Sequence, residues 1–81
     1  MKISGAQIRA ARALLGLSQE DVAKRATVSV PTVKRCETDL ARSPHVTEPT
    51  RLLVIAALES AGIAFTNGGE PGVKLRARRR R

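Results

Sequence analysis

The sequence predicts a mainly α-helical domain of four helices followed by a C-terminal β-hairpin. Two observations lead to this fold. Apolar residues before position 62 recur at helical spacing between Ser or Thr caps and Gly stops, whereas the residues after it alternate around a turn-rich segment. A chain of 81 residues makes one small domain. With one Phe and no Trp or Tyr, its core must be aliphatic.

The first helix is predicted over residues 5–15. Ser4, followed three residues later by Gln7, has the spacing of a capping box. Ile8 begins a row of apolar residues at helical spacing, and Gly16 provides the stop.

Two short helices follow, over residues 19–26 and 30–37. Ser18 is a cap for the first of them, and the acidic residues after it favour a helix N-terminus. Ser29 is a cap for the second, and Pro31 lies in the first turn, where its missing N–H costs nothing.

The fourth helix is predicted from a Thr47 cap to about Ala61, with Gly62 as its stop. Its apolar residues nearly encircle it: Leu52, Leu53, Val54, Ile55 and Leu58. Such a helix usually buries more than one face. One face should cover the first three helices, and the other is a candidate oligomer contact.

The last segment changes period. Residues 63–66 and 73–76 alternate apolar with small or polar side chains around a Gly-rich turn, which predicts a hairpin. An isolated hairpin is only marginally stable, so it needs a helix beneath it or a second hairpin from a partner chain. The expected organisation is a domain over 1–62, a hairpin over 63–76 that serves dimerisation, and a basic disordered tail over 77–81.

The charge is unevenly distributed. The net charge is +8, and residues 74–81 supply six of the cations and no acid. A polyanionic partner is indicated; nucleic acid is the commonest, and an anionic membrane surface satisfies charge equally well. The basic end either enters a minor groove or follows the DNA backbone, or it is a disordered end that raises non-specific affinity. The longest apolar run, residues 52–58, is far too short to span a membrane.

The residue composition does not indicate an enzyme or a metal-binding protein. The chain has one Cys and one His, with no paired carboxylates in an apolar setting. We therefore expect no enzyme activity, no cofactor and no metal at His45. A lone Cys36 excludes an intrachain disulfide and favours a reducing, cytoplasmic setting; no signal peptide is evident. Cys36 is expected in the core and inert, and Glu37 is expected to brace the end of the third helix.

Two short helices joined by a tight turn, the second carrying polar residues outward, form the helix-turn-helix pattern, whose second helix enters the major groove of DNA. The motif runs Leu17-Ser18-Gln19-Glu20-Asp21-Val22-Ala23, then Val28-Ser29, then Thr32-Val33, and ends at Glu37. In these residues the chain resembles the Xre/Cro/C1 (lambda-repressor-like) family of bacterial and phage transcriptional regulators, over about residues 5–61.

The resemblance implies which residues contact the bases of DNA and which contact its phosphates. The base-reading residues would be Val30, Pro31, Thr32, Lys34 and Arg35. Lys34 and Arg35 are expected to read guanine, while Val30 and Pro31 have no donors and can only pack against thymine methyls. Thr32 can contact a base or a phosphate. The phosphate contacts would come from Gln19, Arg9, Ser29, Thr38, Arg42 and Ser43; for Gln19, the helix N-terminus supplies a physical reason as well.

The chain departs from the family pattern in two places. The family usually has Gly where this chain has Thr27, and Thr tolerates a positive φ poorly, so we expect a slightly different turn. A hairpin also stands where the family usually has a fifth helix.

We therefore expect a homodimeric transcriptional repressor that lies in the cytoplasm, associated with the nucleoid. One small module buries too little DNA surface for tight specific binding, and two copies one helical turn apart on an inverted repeat solve this. The dimer contact is expected from Ile63, Phe65, Val73, Leu75, Val54 and Leu58. Three alternatives remain: an antitoxin that also binds a toxin, an anti-activator or similar protein-interaction module without specific DNA binding, and an architectural protein of a mobile element.

Overall fold

The computed structural model describes residues 3–38 and 46–76. It contains four helices and a two-stranded antiparallel sheet, which confirms the predicted fold class. The elements are α1 (Gly5–Leu15), α2 (Gln19–Ala26), α3 (Val30–Cys36), α4 (Glu48–Ser60), β1 (Ile63–Thr66) and β2 (Gly72–Leu75).

Every helix begins at a hydroxyl cap, as its sequence predicts. The side chains of Ser4, Ser18, Ser29 and Thr47 each accept a backbone N–H three residues later, and the capping boxes at α1 and α2 are complete. The observed helix and strand ends lie within one residue of those predicted. For example, α3 ends at Cys36 because Glu37 is its C-cap.

The expectation of a different turn at Thr27 is wrong. Thr27 has φ 60° and ψ 47°, the left-handed conformation that glycine adopts easily. Its N–H donates to the carbonyls of Ala23 and Lys24 and so closes α2. The turn therefore has a left-handed residue although the residue is not glycine, and the backbone of the β-branched Thr27 is strained there.

An aliphatic core lies at the centre of the helices and under the hairpin. Its fully buried side chains come from α1, α2, α3, α4 and β1: Ile8, Val22, Val33, Cys36, Val54, Leu58 and Ile63. Every helix thus places at least one apolar residue in the same cluster.

The hairpin packs on the helices of its own chain. Ile63 pairs with Leu75 and Phe65 with Val73, so these four side chains share one face of the hairpin. Ile63, Phe65 and Val73 pack against the core, whereas Leu75 is 47% exposed. The buried side chain of Gln7 fastens the open end of the turn: its Nε2 donates to the carbonyls of Thr66 (3.0 Å) and Gly72 (3.1 Å).

This packing corrects part of the predicted dimer contact. Val54, Leu58 and Ile63 are at most 1% exposed within the single chain, so they are not available to a second copy. Phe65 and Val73 are half-buried against the same core. The sequence pattern does not show which of the two apolar faces of α4 is buried. In the structure, the face with Val54 and Leu58, which was predicted to contact a second copy, packs in the core of the single chain.

Candidate nucleic-acid interface

The segment from α2 to α3 has helix-turn-helix geometry. The backbone N–H of Val28 donates to the carbonyl of Ala23 at 3.0 Å, and Ser29 then caps α3. Val33 and Cys36 are fully buried and anchor one side of α3 in the core. The opposite side of α3 faces away from the domain.

The five predicted base-reading residues are not equally accessible. Pro31, Lys34 and Arg35 are exposed, whereas Val30 and Thr32 are half-buried. Val30 packs partly against the core, which leaves only one side of it for a base. The side chains of Lys34 and Arg35 are exposed and form no hydrogen bond or ion pair with another described residue, so both cations project toward solvent.

Ser29 and Thr32 bind each other. Their hydroxyl oxygens are 2.8 Å apart, and the Ser29 oxygen also accepts the N–H of Thr32 at 3.3 Å. These hydroxyls hold the first turn of α3. The cap leaves each of them less hydrogen-bonding capacity for the phosphate or base contact that the sequence assigned to it.

A buried ion pair fixes the end of α3. Glu37 is 5% exposed, and its Oε2 lies 2.6 Å from Nε of Arg12 on α1. Its Oε1 accepts from a second Arg12 nitrogen at 3.2 Å and from Nε2 of Gln19 at 3.1 Å. The Arg12 guanidinium also donates to the carbonyl of Leu17 at 3.1 Å. One carboxylate therefore joins α1, the start of α2 and the end of α3, which is the bracing role expected for Glu37.

This network determines where Gln19 lies. Gln19 is the first residue of α2 and is half-buried, with its amide directed to Glu37. Its predicted contact with a phosphate therefore has to be made by the backbone N–H groups of the helix start or by the remaining amide hydrogen. The role of Arg12 could not be predicted from the sequence, because its partner lies 25 residues away and no local pattern marks the pair.

The backbone at the start of α1 lies very close to the backbone at the end of α3. Arg9 is exposed, and its Nη1 donates to the carbonyl of Glu37 at 3.0 Å, so its cation is held near the end of α3. A Cβ placed on Gly5 would lie 2.7 Å from the carbonyl carbon of Glu37. Thr38 is half-buried at this junction. The predicted contacts Arg42 and Ser43, like His45, fall outside the described residues.

A shallow, open depression of about 170 Å³ runs beside α3. Its lining comes from the outer side of α3 and the segment that begins α4: Thr32, Arg35, Val46, Thr47 and Thr50. The first turn of α4 therefore lies directly next to Thr32 and Arg35, two of the predicted base-reading residues.

Two ionisable groups near the motif have shifted pKa values. Hydrogen bonds from the Ser18 backbone N–H and hydroxyl lower the pKa of Asp21, which completes the cap of α2. Burial raises the pKa of the Cys36 thiol, and this outweighs the opposing effect of Arg51. The thiol is thus kept protonated, in agreement with the expectation of an inert core cysteine.

Within the described ranges, no helix combines the length and apolar character needed to cross a bilayer. A comparison with curated proteins finds no match to the chain. A comparison with family models finds one, described as a helix-turn-helix domain, over residues 5–61. That span contains the four helices of the described residues and is consistent with the Xre/Cro-type resemblance. The chain belongs to the helix-turn-helix domain family, whose characteristic property is DNA binding.

Proposed function

We propose that the protein is a sequence-specific transcriptional regulator that reads the major groove of double-stranded DNA with α3. The observation that supports this most directly is the pair of exposed cations, Lys34 and Arg35, opposite the buried Val33 and Cys36. Arg and Lys are the side chains that bind the O6 and N7 atoms of guanine. Helix α3 thus offers base-reading groups from a fixed position.

The surroundings of α3 supply contacts that carry affinity without sequence information. Arg9 lies at the end of α3, and the N-terminus of α2 offers backbone N–H groups to a phosphate. The cations of residues 74–81 add further attraction to a polyanion.

Two copies on an inverted repeat are the arrangement that we propose on DNA. A single small module buries roughly 600–1,000 Å² of its surface on DNA, at the low end for tight specific binding. A symmetric pair doubles that contact and requires two half-sites about one helical turn apart. The protein acts as a repressor in this proposal, because occupancy of a promoter is sufficient to block it.

The test begins with selection of duplexes from a random pool by the full chain. Affinity is then measured for the selected site and for a scrambled duplex at about 50 and 200 mM salt. Arg35→Ala should reduce the preference for the selected site by roughly 5- to 150-fold, because one good guanine contact contributes about 1–3 kcal/mol of discrimination.

Lys74→Ala is the matched control, since it removes an exposed cation from the outer face of the hairpin. It should weaken binding to both duplexes alike, or not at all. If the wild-type chain binds both duplexes equally and loses both with salt, the proposal is wrong. A protein-interaction module with the same fold would then explain the sequence better.

A further inference from the structure

Helix α4 carries an apolar stripe that no described residue covers. Pro49, Leu52, Leu53 and Ala56 are all exposed and lie at positions i, i+3, i+4 and i+7, on one side of the helix. Leu52 and Leu53 are 52% and 51% exposed. We call these four residues the α4 stripe. The core uses the other side of the helix, so the stripe is not needed for the fold of the single chain.

The α4 stripe lies at the border of the proposed DNA interface. Thr47 and Thr50, from the start of α4, line the depression beside Thr32 and Arg35 of α3. Leu53 is less than one turn beyond Thr50. A molecule bound to the stripe would therefore lie next to the base-reading helix.

The other candidate surface for a second copy is the edge of β2, and charge argues against it. The N–H of Arg76 donates to the carbonyl of Gly62, so by alternation the backbone groups of Val73 and Leu75 point away from β1. An antiparallel pair of β2 strands that uses all these groups would set Lys74 directly opposite Lys74 of the other copy. Like charges in that position destabilise a sheet.

We propose that the α4 stripe is the contact between two copies of this chain, and that the contact forms on DNA but not between free molecules. This inference rests on the proposed function. The stripe amounts to roughly a few hundred Å² on each copy, whereas stable interfaces bury about 1,200–2,000 Å² in total.

Charge points to the same dependence on DNA. Each copy has a net charge of +8, so two free copies repel each other. DNA neutralises that charge and holds two bound copies at a high local concentration, at which a small apolar contact is sufficient. The contact would then appear as cooperativity between adjacent half-sites.

The experiment compares a duplex with one half-site of the selected sequence and a duplex with two. Sedimentation of the free full chain should show a monomer at micromolar concentration. On the longer duplex, the second copy should bind roughly 5- to 150-fold more tightly than a copy on the isolated half-site. The double variant Leu52→Gln/Leu53→Gln should bind one half-site like the wild type and lose this enhancement. Glutamine adds no charge that would itself alter DNA affinity.

Leu75→Gln is the matched control, because Leu75 is 47% exposed but lies on the hairpin. It should keep the cooperativity. A stable dimer of the free chain, or full cooperativity in the double variant, would overturn the inference. If the double variant does not fold, Ala56→Cys provides the alternative: with oxidised glutathione added as the two-electron oxidant, the introduced thiols of two copies should form a disulfide on the two-site duplex and not on the one-site duplex. Equal crosslinking on both would contradict the inference, whereas loss of site preference by the wild type would contradict the proposed function instead.

Discussion

Replacing Gly5 with Ala tests how closely α1 and α3 approach each other. The added Cβ would lie 2.7 and 2.8 Å from the carbonyl carbon and oxygen of Glu37, and 2.9 Å from the backbone nitrogen of Thr38. All three are backbone atoms, so no flexible side chain can move aside. Restoring an ordinary contact requires the two helices to separate by about 0.7 Å at this point.

That separation acts on the ion pair as well, because Arg12 reaches Glu37 from the same helix. Overpacking of this kind costs about 1–3 kcal/mol. Alanine recovers up to about 1 kcal/mol through its helix propensity, and less at the first residue of a helix. We therefore expect the free energy of unfolding to fall by about 1–2 kcal/mol, and the melting temperature by at least about 4 °C in a domain of this size.

Thermal and urea unfolding, followed by circular dichroism, measure this change. Gly68→Ala is the control, because no atom lies within 4 Å of its Cβ position and its φ is not positive. It should change stability by less than about 0.5 kcal/mol. If Gly5→Ala is as stable as Gly68→Ala, the close approach does not constrain the fold and the reasoning is wrong.

Three further outcomes follow from the local geometry. Thr27→Gly should stabilise the protein by about 0.5–1 kcal/mol in urea unfolding, since relief of the left-handed strain exceeds the added chain entropy; a loss of stability would contradict this. Glu37→Ala should lower the free energy of unfolding by about 3 kcal/mol, because it leaves the Arg12 guanidinium without its carboxylate, and Arg12→Leu/Glu37→Leu should recover part of this loss. A loss below about 1 kcal/mol would count against a stabilising role of the Arg12–Glu37 ion pair. Folding lowers the pKa of Asp21, so the ionised carboxylate stabilises the folded state. This stabilisation is complete at pH values above the pKa of the unfolded chain and is lost as the pH falls through the lower pKa of the folded chain. Asp21→Asn should therefore reduce the dependence of the melting temperature on pH in the acid range. An unchanged dependence would show that Asp21 does not cause it.

The local part of this fold could be predicted because its signals lie within three or four residues of each other. Ser4 with Gln7 predicts a capping box for α1, and Ser18 predicts the cap of α2. The structure confirms both caps and shows that Asp21 completes a capping box at α2 as well. The exposure of Lys34 and Arg35 follows from the same helical spacing that buries Val33. Short-range interactions thus determine the helices and the exposed face of α3 on which Lys34 and Arg35 lie.

The long-range part could not be predicted in the same way. Nothing near Gln7 indicates that its amide binds strands 59 and 65 residues away. The apolar residues of α4 surround the helix, so the sequence could not distinguish Val54 and Leu58 in the core from Leu52 and Leu53 outside. Thr27 adopts the glycine conformation because the surrounding turn determines it, against its own preference.

The side chain of Gln7 has a consequence for how the molecule opens. Its Oε1 accepts the N–H of Ser4 at 2.9 Å while its Nε2 holds both strands, so one amide joins the two ends of the described chain. Lifting the hairpin leaves this amide without its acceptors and loosens the start of α1 at the same time. The first turn and the hairpin therefore form one cooperative unit, in which the amide hydrogens should exchange with solvent together, more readily than those of the core helices.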